Sequence, residues 1–497
     1  MKKKTISDFN RTVSFSIPHG WILSSFNEVI DLVKGKKPID LGEQSESRLF
    51  AYIIIESFEK QVYHQYTSAI NCPVCKNKDI LIVWDGARCG LIGRGVNGSI
   101  GSTLAKINNY GLHSSYLYYF LQTKYGLINK NPRGIGIPHI DPEVFWTINI
   151  PIPPLPEQHR IVIKIEELLT QLDAGVASLK KVQAQLKRYR QAVLKAAFEG
   201  RLTLGWREKH KGEIEPAGVL LERIKKINNG TGINDNSPMD LTDLTALPEN
   251  WIWTRLDNLT HIKGGITKDG KRIVNEGRFV PYLRVANVQN GYLDLNEIKF
   301  IEASEVEIRE LSLKKGDILF TEGGDRDKLG RGWIWYDELP ECIYQNHIFR
   351  ARIYLDEISS KYISWFGNTH SQKYFMKKGK QTTNLASINL TQLRAFPVAL
   401  PPVEEQRAIV LEIEHHLSQI DHLEKTIATS LRQAETLRQS ILKQAFEGRL
   451  VPQDPNDEPA SVLLERIKSE KARHAAGTKK GKTLQPKSPK RKVRNVN

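Results

Sequence analysis

LKAAFEGRL (194–202) recurs as LKQAFEGRL (442–450), 248 positions further on, with one letter changed. Eight identities in nine do not arise by accident, so the chain contains an internal duplication whose extent decides the fold. At the same offset PLPEQHRIVIKIEELLTQLD (154–173) faces PVEEQRAIVLEIEHHLSQID (402–421), and 21 of the 49 positions in 154–202 and 402–450 are identical. After a slip of five residues, EPAGVLLERIK (215–225) faces EPASVLLERIK (458–468), and upstream PHGWI (18–22) resembles PENWI (248–252). The intervening blocks, 18–150 and 248–398, share a plan but little sequence. DILIVWDGARCGLIGRG (79–95) resembles GDILFTEGGDRDKLGRG (316–332), and LHSSYLYYFLQT (112–123) resembles EISSKYISWFGNT (357–369). Each block therefore has an apolar strand before a Gly- and Arg-containing turn, then an aromatic-rich helix.

The repeated segment reads as a long helix. IPIPPLP (150–156) cannot continue a ladder, and the following EQ puts an acid in the first helical turn, where the helix dipole favours it. Ile161, Ile165, Leu168, Leu172, Leu179, Val182, Leu186, Tyr189 and Val193 then fall on alternating steps of three and four. Ile409, Ile413, Ile420, Leu423, Ile427, Leu437 and Ile441 keep the frame in the second copy. A heptad stripe this long is a coiled-coil seam, which a lone helix cannot bury. Two such helices in one chain predict mutual antiparallel packing about an approximate twofold axis, as a spacer of roughly 63 Å for about 42 residues. Gly200 and Gly448 are C-cap candidates. Helix termination alone does not require Phe198, Glu199, Arg201 and Leu202 to reappear as Phe446, Glu447, Arg449 and Leu450, so these eight are read as docking positions for two copies of one partner subunit. VLLERIK, a short amphipathic helix, is read the same way.

The expected fold class is α+β, with two mixed α/β recognition domains separated by two long antiparallel coiled-coil helices in a pseudo-twofold repeat. The expected domains are 1–153, a first helix 154–202, a linker 203–247 with a short helix 215–226, a second domain 248–400, a second helix 401–450, a linker and short helix 451–468, and a basic disordered tail 469–497. The formal net charge is +16, but residues 468–497 hold 11 Lys or Arg against one Glu, which leaves +6 for the rest. The tail is either a source of non-specific attraction to DNA or a solubilising extension. No apolar stretch reaches spanning length and no apolar segment follows the basic start, so a cytoplasmic protein without a membrane partner is expected. Cys72, Cys75, Cys89 and Cys342 are too few for a disulfide framework. The Cys72–Cys75 pair lacks a second pair of ligands, and is read as a reduced loop rather than a zinc site.

No phosphate loop, HExxH or GxSxG motif is present, and no metal site or catalytic residue is expected. Gly93, Gly95 and Gly98 spell GxGxxG without the apolar helix that a dinucleotide site needs, and read better as a flexible turn bringing Arg88 and Arg94 to a phosphate backbone. In the second block Arg284 and Asn287 lie beside an apolar strand, Arg326, Lys328 and Arg331 sit on a Gly-rich loop, and Gln345, Asn346 and His347 follow. KGKQTTN (378–384) adds Gln381 and Thr382, and NPRGIG (131–136) places Arg133 correspondingly in the first block. Arg pairs with guanine and Asn or Gln with adenine in the major groove, so collectively this is the inventory of a base reader of double-stranded DNA.

A tandem pair of unlike domains, each ending in PPLPEQ or PPVEEQR and followed by a long helix and AFEGRL, resembles the specificity subunit of type I restriction–modification enzymes across 18–468. The resemblance implies that each domain reads one half of a split, asymmetric site. The helices would set the gap and dock two DNA-methyltransferase subunits, which restriction (motor-nuclease) subunits then join. It also implies a non-catalytic chain without cofactors, since S-adenosylmethionine, ATP and Mg2+ belong to the partners. The first block departs from the second in its length and in its Cys72/Cys75 loop. Inserting four residues into 161–193 is expected to lengthen the gap. A stand-alone DNA-binding regulator is the alternative, and a coiled-coil scaffold without nucleic acid a third reading.

Overall fold

The computed structural model describes residues 17–134, 136–227, 245–268, 276–324, 329–378, 380–381 and 386–483. The chain divides into two compact units, one of residues 1–179 with 428–497 and the other of 180–427. These units cut across the linear order of the blocks. The helix Leu155–Phe198 gives its first part to unit 1 and its last part to unit 2, and Val403–Phe446 does the reverse.

Both units are built on one plan. In unit 1 an antiparallel sheet runs Ile30–Lys34, Leu104–Asn109, Ile80–Val83, Ile92–Arg94. In unit 2 the same order is Thr260–Gly264, Ile348–Ile353, Ile318–Thr321, Gly332–Ile334. The third strand of each, ILIV and ILFT, is buried at every position, as its unbroken apolar run demands. Gly332 permits the last pairing, because a Cβ there would lie 1.8 Å from the Leu319 carbonyl oxygen. A second, mixed sheet abuts each first one. Phe50–Ile53 runs parallel to Gly98–Ile100 in unit 1, and Arg278–Leu283 runs parallel to Ile343–Tyr344 in unit 2. The aromatic-rich stretches form the helices Ser114–Lys130 and Ser360–Lys378.

The long helices pack antiparallel wherever they meet inside a unit. In unit 1 Ile161, Ile165 and Leu169 share a core with Ile441, Leu442, Ala445 and Phe446, and Arg438 pairs with Asp173. In unit 2 Arg190 bonds Asp421 at 2.5 Å and Glu424 at 3.3 Å, and Val193 is buried, as are Ile409 and Ile413. Along the expected stripe Leu186, Ile420 and Ile427 are buried, whereas Val182, Tyr189, Leu423 and Leu437 are exposed. Each helix stops in a Schellman turn. Gly200 and Gly448 both have φ +69°, and the amides of Arg201 and Arg449 donate to the carbonyls of Ala196 and Gln444 at 2.9 Å.

The fold is thus α+β, with two mixed α/β domains in an internal repeat and two long helices. Two expectations about the connections change. The linker holds two helices, Leu204–Lys209 and Ala217–Ile227. The last helix, Ala460–Thr483, runs well into the stretch expected to be disordered. Lys471 anchors it by donating to the carbonyls of Asn27 and Ile30 at 2.5 and 2.7 Å, and Tyr110 stands against His474.

Candidate nucleic-acid interface

The repeated phrases form a clasp inside each unit. In unit 1 the Trp21 indole donates to Glu157 at 2.9 Å, and Gln158 donates to the Pro153 carbonyl while accepting from the His113 amide, both at 2.9 Å. In unit 2 Trp251 donates to Glu405 at 2.8 Å, and Gln406 binds the Pro401 carbonyl and the Ser359 amide, again at 2.9 Å each. Tyr116 and Tyr362 donate to the carbonyls of Pro151 and Ala399. The EQ dipeptide therefore ties three pieces together: the long helix, the WI strand that opens the domain, and the aromatic helix. Its four side chains are buried. The EQ dipeptide is thus more than a helix start, and its recurrence together with PHGWI and PENWI is the sequence signal that the two cooperate.

The clasps differ in charge. Glu405 receives Arg207 at 2.5 Å and Thr203 at 2.8 Å. Glu157 receives Gln453 at 3.4 Å, Arg160 being engaged by Asp457 at 2.7 Å, and burial pushes the Glu157 carboxyl above its ordinary value. A cation beside a buried carboxylate favours its charged form, as Arg207 does at Glu405; at Glu157 burial outweighs the hydrogen bonds from Trp21 and Gln453, which by themselves favour the charge.

AFEGRL completes the clasps crosswise. Phe446, from the second helix, packs edge-on against Tyr116 and Phe120 of the first domain, with centroids at 5.2 and 5.1 Å. Phe198, from the first helix, packs against Tyr362, Phe366 and His370 of the second domain. At 3% and 5% exposure, Phe198 and Phe446 are core residues, which corrects their reading as docking positions: their recurrence follows from intramolecular packing. The apolar residues of VLLERIK are accounted for likewise, since Leu220, Leu221, Ile224, Leu463, Leu464 and Ile467 are buried. Arg201 and Arg449 remain exposed, each paired with its neighbour, Glu199 or Glu447. Leu202 and Leu450 are half-buried.

At the far end of the central strand each unit carries a cluster of loops and a hairpin. In unit 1 the hairpin of Pro132–Arg133 and His139–Ile140 meets the strand exit, where the Gly86 amide donates to Pro138 at 2.8 Å and Ile140 donates to Trp84 at 3.0 Å. In unit 2 Ala386–Ser387 pairs with both Lys380–Gln381 and Gly323–Gly324, and the Ile388 amide donates to Glu322 at 2.8 Å. Pro132–Arg133 and Lys380–Gln381 thus hold equivalent places, and in unit 1 the structure brings Arg88 and Arg133 to one end. Arg133 is exposed. Arg88, half exposed, is paired with Glu59 at 2.6 Å.

Other candidates have structural employment. Arg94 stacks 4.1 Å over Tyr118, donates to Ser114 and Ser115, and has its guanidinium pKa lowered by burial. Gly93, Gly95 and Gly98 do not form a flexible turn. Gly93 lies within a strand and Gly98 in another, where a Cβ would meet the Ala51 carbonyl oxygen at 2.4 Å. Asn287 is no base reader, since its buried amide accepts from the Arg284 backbone at 2.8 Å and donates to the carbonyls of Asp294 and Glu297. Arg284 turns onto Glu297, and Arg331 approaches the Val285 carbonyl at 3.5 Å. Asn346 is half-buried beside the strand entry. Arg326, Lys328 and Thr382 lie outside the described residues, as does the Gln381 side chain.

Cys75 is buried, donates to the Val96 carbonyl, and has its thiol pushed up to about 11 by burial, which keeps it protonated. Among the described residues no group of three His, Cys, Asp or Glu converges as a metal site. Among them, too, no helix is long and apolar enough to cross a membrane.

Two units of one plan, clasped alike and unlike at their tips, define a duplicated two-headed recognition protein. The chain belongs to the family of the type I restriction modification DNA specificity domain, which matches it at residues 18–188 and again at 248–433. It is 31% identical over 363 residues to the EcoKI specificity subunit of Escherichia coli K12, covering 71% of this chain and 70% of that one. To the MjaVIII specificity subunit of Methanocaldococcus jannaschii it is 23% identical over 455 residues, 89% of this chain and 96% of the relative. The fold matches a chain solved in work on complex assembly and conformational transition of the type I R-M system, with a TM-score of 0.63 at 19% identity, over 88% of this chain and all of that one. The HsdS subunit from Thermoanaerobacter tengcongensis matches with a TM-score of 0.52 at 17% identity, over 88% and 99%. The protein is a DNA-recognition subunit of this family.

Proposed function

We propose that the chain selects the DNA site for a multisubunit adenine methyltransferase and endonuclease without performing chemistry itself. Each domain reads one half of a split, asymmetric sequence through the hairpin and loops at its central strand's end. Two methyltransferase subunits dock on the repeated surface around the exposed Arg201 and Arg449, and restriction subunits join that core. S-adenosylmethionine, ATP and Mg2+ act in those partners, and the assembly works on DNA in a prokaryotic cytoplasm.

One observation carries this reading: the clasps of the two units share the same tryptophan, glutamine and tyrosine hydrogen bonds, while the reading ends carry different residues. Identical supports suit identical enzymes, and unlike tips suit an asymmetric sequence, since two like tips would read a palindrome. The test is to express the chain with its methyltransferase subunit in cells lacking other adenine methylation and to map the methylated bases. A single bipartite, non-palindromic motif with one mark on each strand is expected. Tight, site-specific binding by the chain alone, with no methylation alongside the partner, would instead establish a stand-alone regulator.

A further inference from the structure

At the reading end of each unit a half-exposed histidine is held by a carboxylate. In unit 1 His139 Nδ1 lies 2.7 Å from Asp85 Oδ1, and Lys34 lies 3.0 Å from Asp85 Oδ2. In unit 2 His347 Nδ1 is bonded to Glu322. His139 sits on the hairpin, across an isolated bridge from Asp85. His347 stands on the other side of the strand exit, its carbonyl accepting from the Glu322 amide at 2.9 Å. The side chains are 46% and 54% exposed, so neither ring is held by packing. What orients each ring is its carboxylate.

We propose that His139 and His347 are base-reading residues, one for each half of the recognised DNA sequence; this rests on the function proposed above. An ionised carboxylate only accepts hydrogen bonds, so it accepts one from Nδ1–H and thereby fixes the ring's tautomer. The neutral ring then offers Nε2 as an acceptor. In the major groove an acceptor meets a partner on adenine N6 or cytosine N4 and faces another acceptor on guanine O6 or thymine O4. Each histidine therefore selects a base bearing an exocyclic amine. In unit 2 phosphate contact is the weaker use, because the Glu322 carboxylate behind the ring repels the backbone. In unit 1 Lys34 neutralises that carboxylate, so Asp85 orients the ring without adding net charge to the tip. The two rings come from different elements at one place in a shared plan, which is how two domains of common architecture come to read different strings.

The test uses the full chain with its methyltransferase partner. His139→Ala and His347→Ala are each compared with the parent by mapping methylated sites and by binding duplexes that carry single base substitutions through both halves. Each variant is expected to lose discrimination at one base position, on the order of 5- to 10-fold for one hydrogen bond. The loss should fall in one half for His139→Ala and in the other for His347→Ala, with unchanged melting temperature. Asp85→Asn, which frees the ring, should relax the same position as His139→Ala. Identical methylation patterns and discrimination in all variants would overturn the proposal, and so would affinity lost evenly over every duplex, the mark of a backbone contact. Absence of a split methylated site with the parent chain would instead sink the function proposed above.

Discussion

Glu157 and Glu405 occupy matching positions in the repeat and bind matching tryptophans, yet their surroundings set them apart. Because burial raises the Glu157 carboxyl above the usual 4.5, the native state holds that proton more tightly than the unfolded chain. The stabilisation this confers is complete below the unfolded pKa and is lost as pH rises through the folded one. Glu157→Gln, which is neutral throughout, escapes that loss. Unfolding followed between about pH 4 and about pH 7 should show the variant gaining on the parent as pH rises. Glu405 faces Arg207 and Thr203, so its neutralisation should only destabilise. At the helix ends, Phe446→Ala empties a site between Tyr116 and Phe120 and should cost about 3–5 kcal/mol in denaturant unfolding. Phe198→Ala should do the same to the second unit.

At the scale of elements, AFEGRL is a helix stop and a core plug in one phrase. The Schellman turn turns the chain back at Gly200 and Gly448, and the phenylalanine two residues earlier enters a domain that its own helix does not follow in sequence. No residue is buried between Leu169 and Leu186 of the first helix or between Ile427 and Ile441 of the second, so these stretches can change length without emptying a core. Inserting seven residues near 176 and seven near 430 adds about 10 Å of helix while keeping the heptad frame. Under the proposed function the methylated bases should move apart by about three base pairs with both half-sequences intact, as methylation mapping would show. Unchanged spacing would refute the measuring role of the helices.

For the whole molecule, the C-terminal segment belongs to the unit that contains the first domain. Ala460, Leu463, Leu464 and Ile467 lie in its core, and the Ala460 amide donates to Gly20 at 3.1 Å. Ending the chain at 457 should therefore unfold the first unit early, seen as a separate low-temperature transition. Ending it at 483 removes the positive charges of Lys487, Lys490, Arg491, Lys492 and Arg494. Its effect belongs to DNA binding: the slope of log affinity against log salt should shrink by up to about four, with specificity unchanged.

The sequence by itself determined the repeat, the long helices and their glycine stops, the equivalence of NPRGIG with KGKQTTN, and kinship with the specificity family. All of these are periodic or identical in the chain, and periodicity and identity are local properties that residues display before anything folds. Only the tertiary structure decided that Phe198 and Phe446 face inward, that Asn287 spends its amide on nearby backbone, that Arg94 is stacked on Tyr118, and that carboxylates aim His139 and His347. A buried phenylalanine and a docking phenylalanine are the same letter. What separates them is which distant surface removes them from water, and in this chain that surface comes from the other copy of the repeat, more than 160 residues away in sequence for Phe198 and Tyr362.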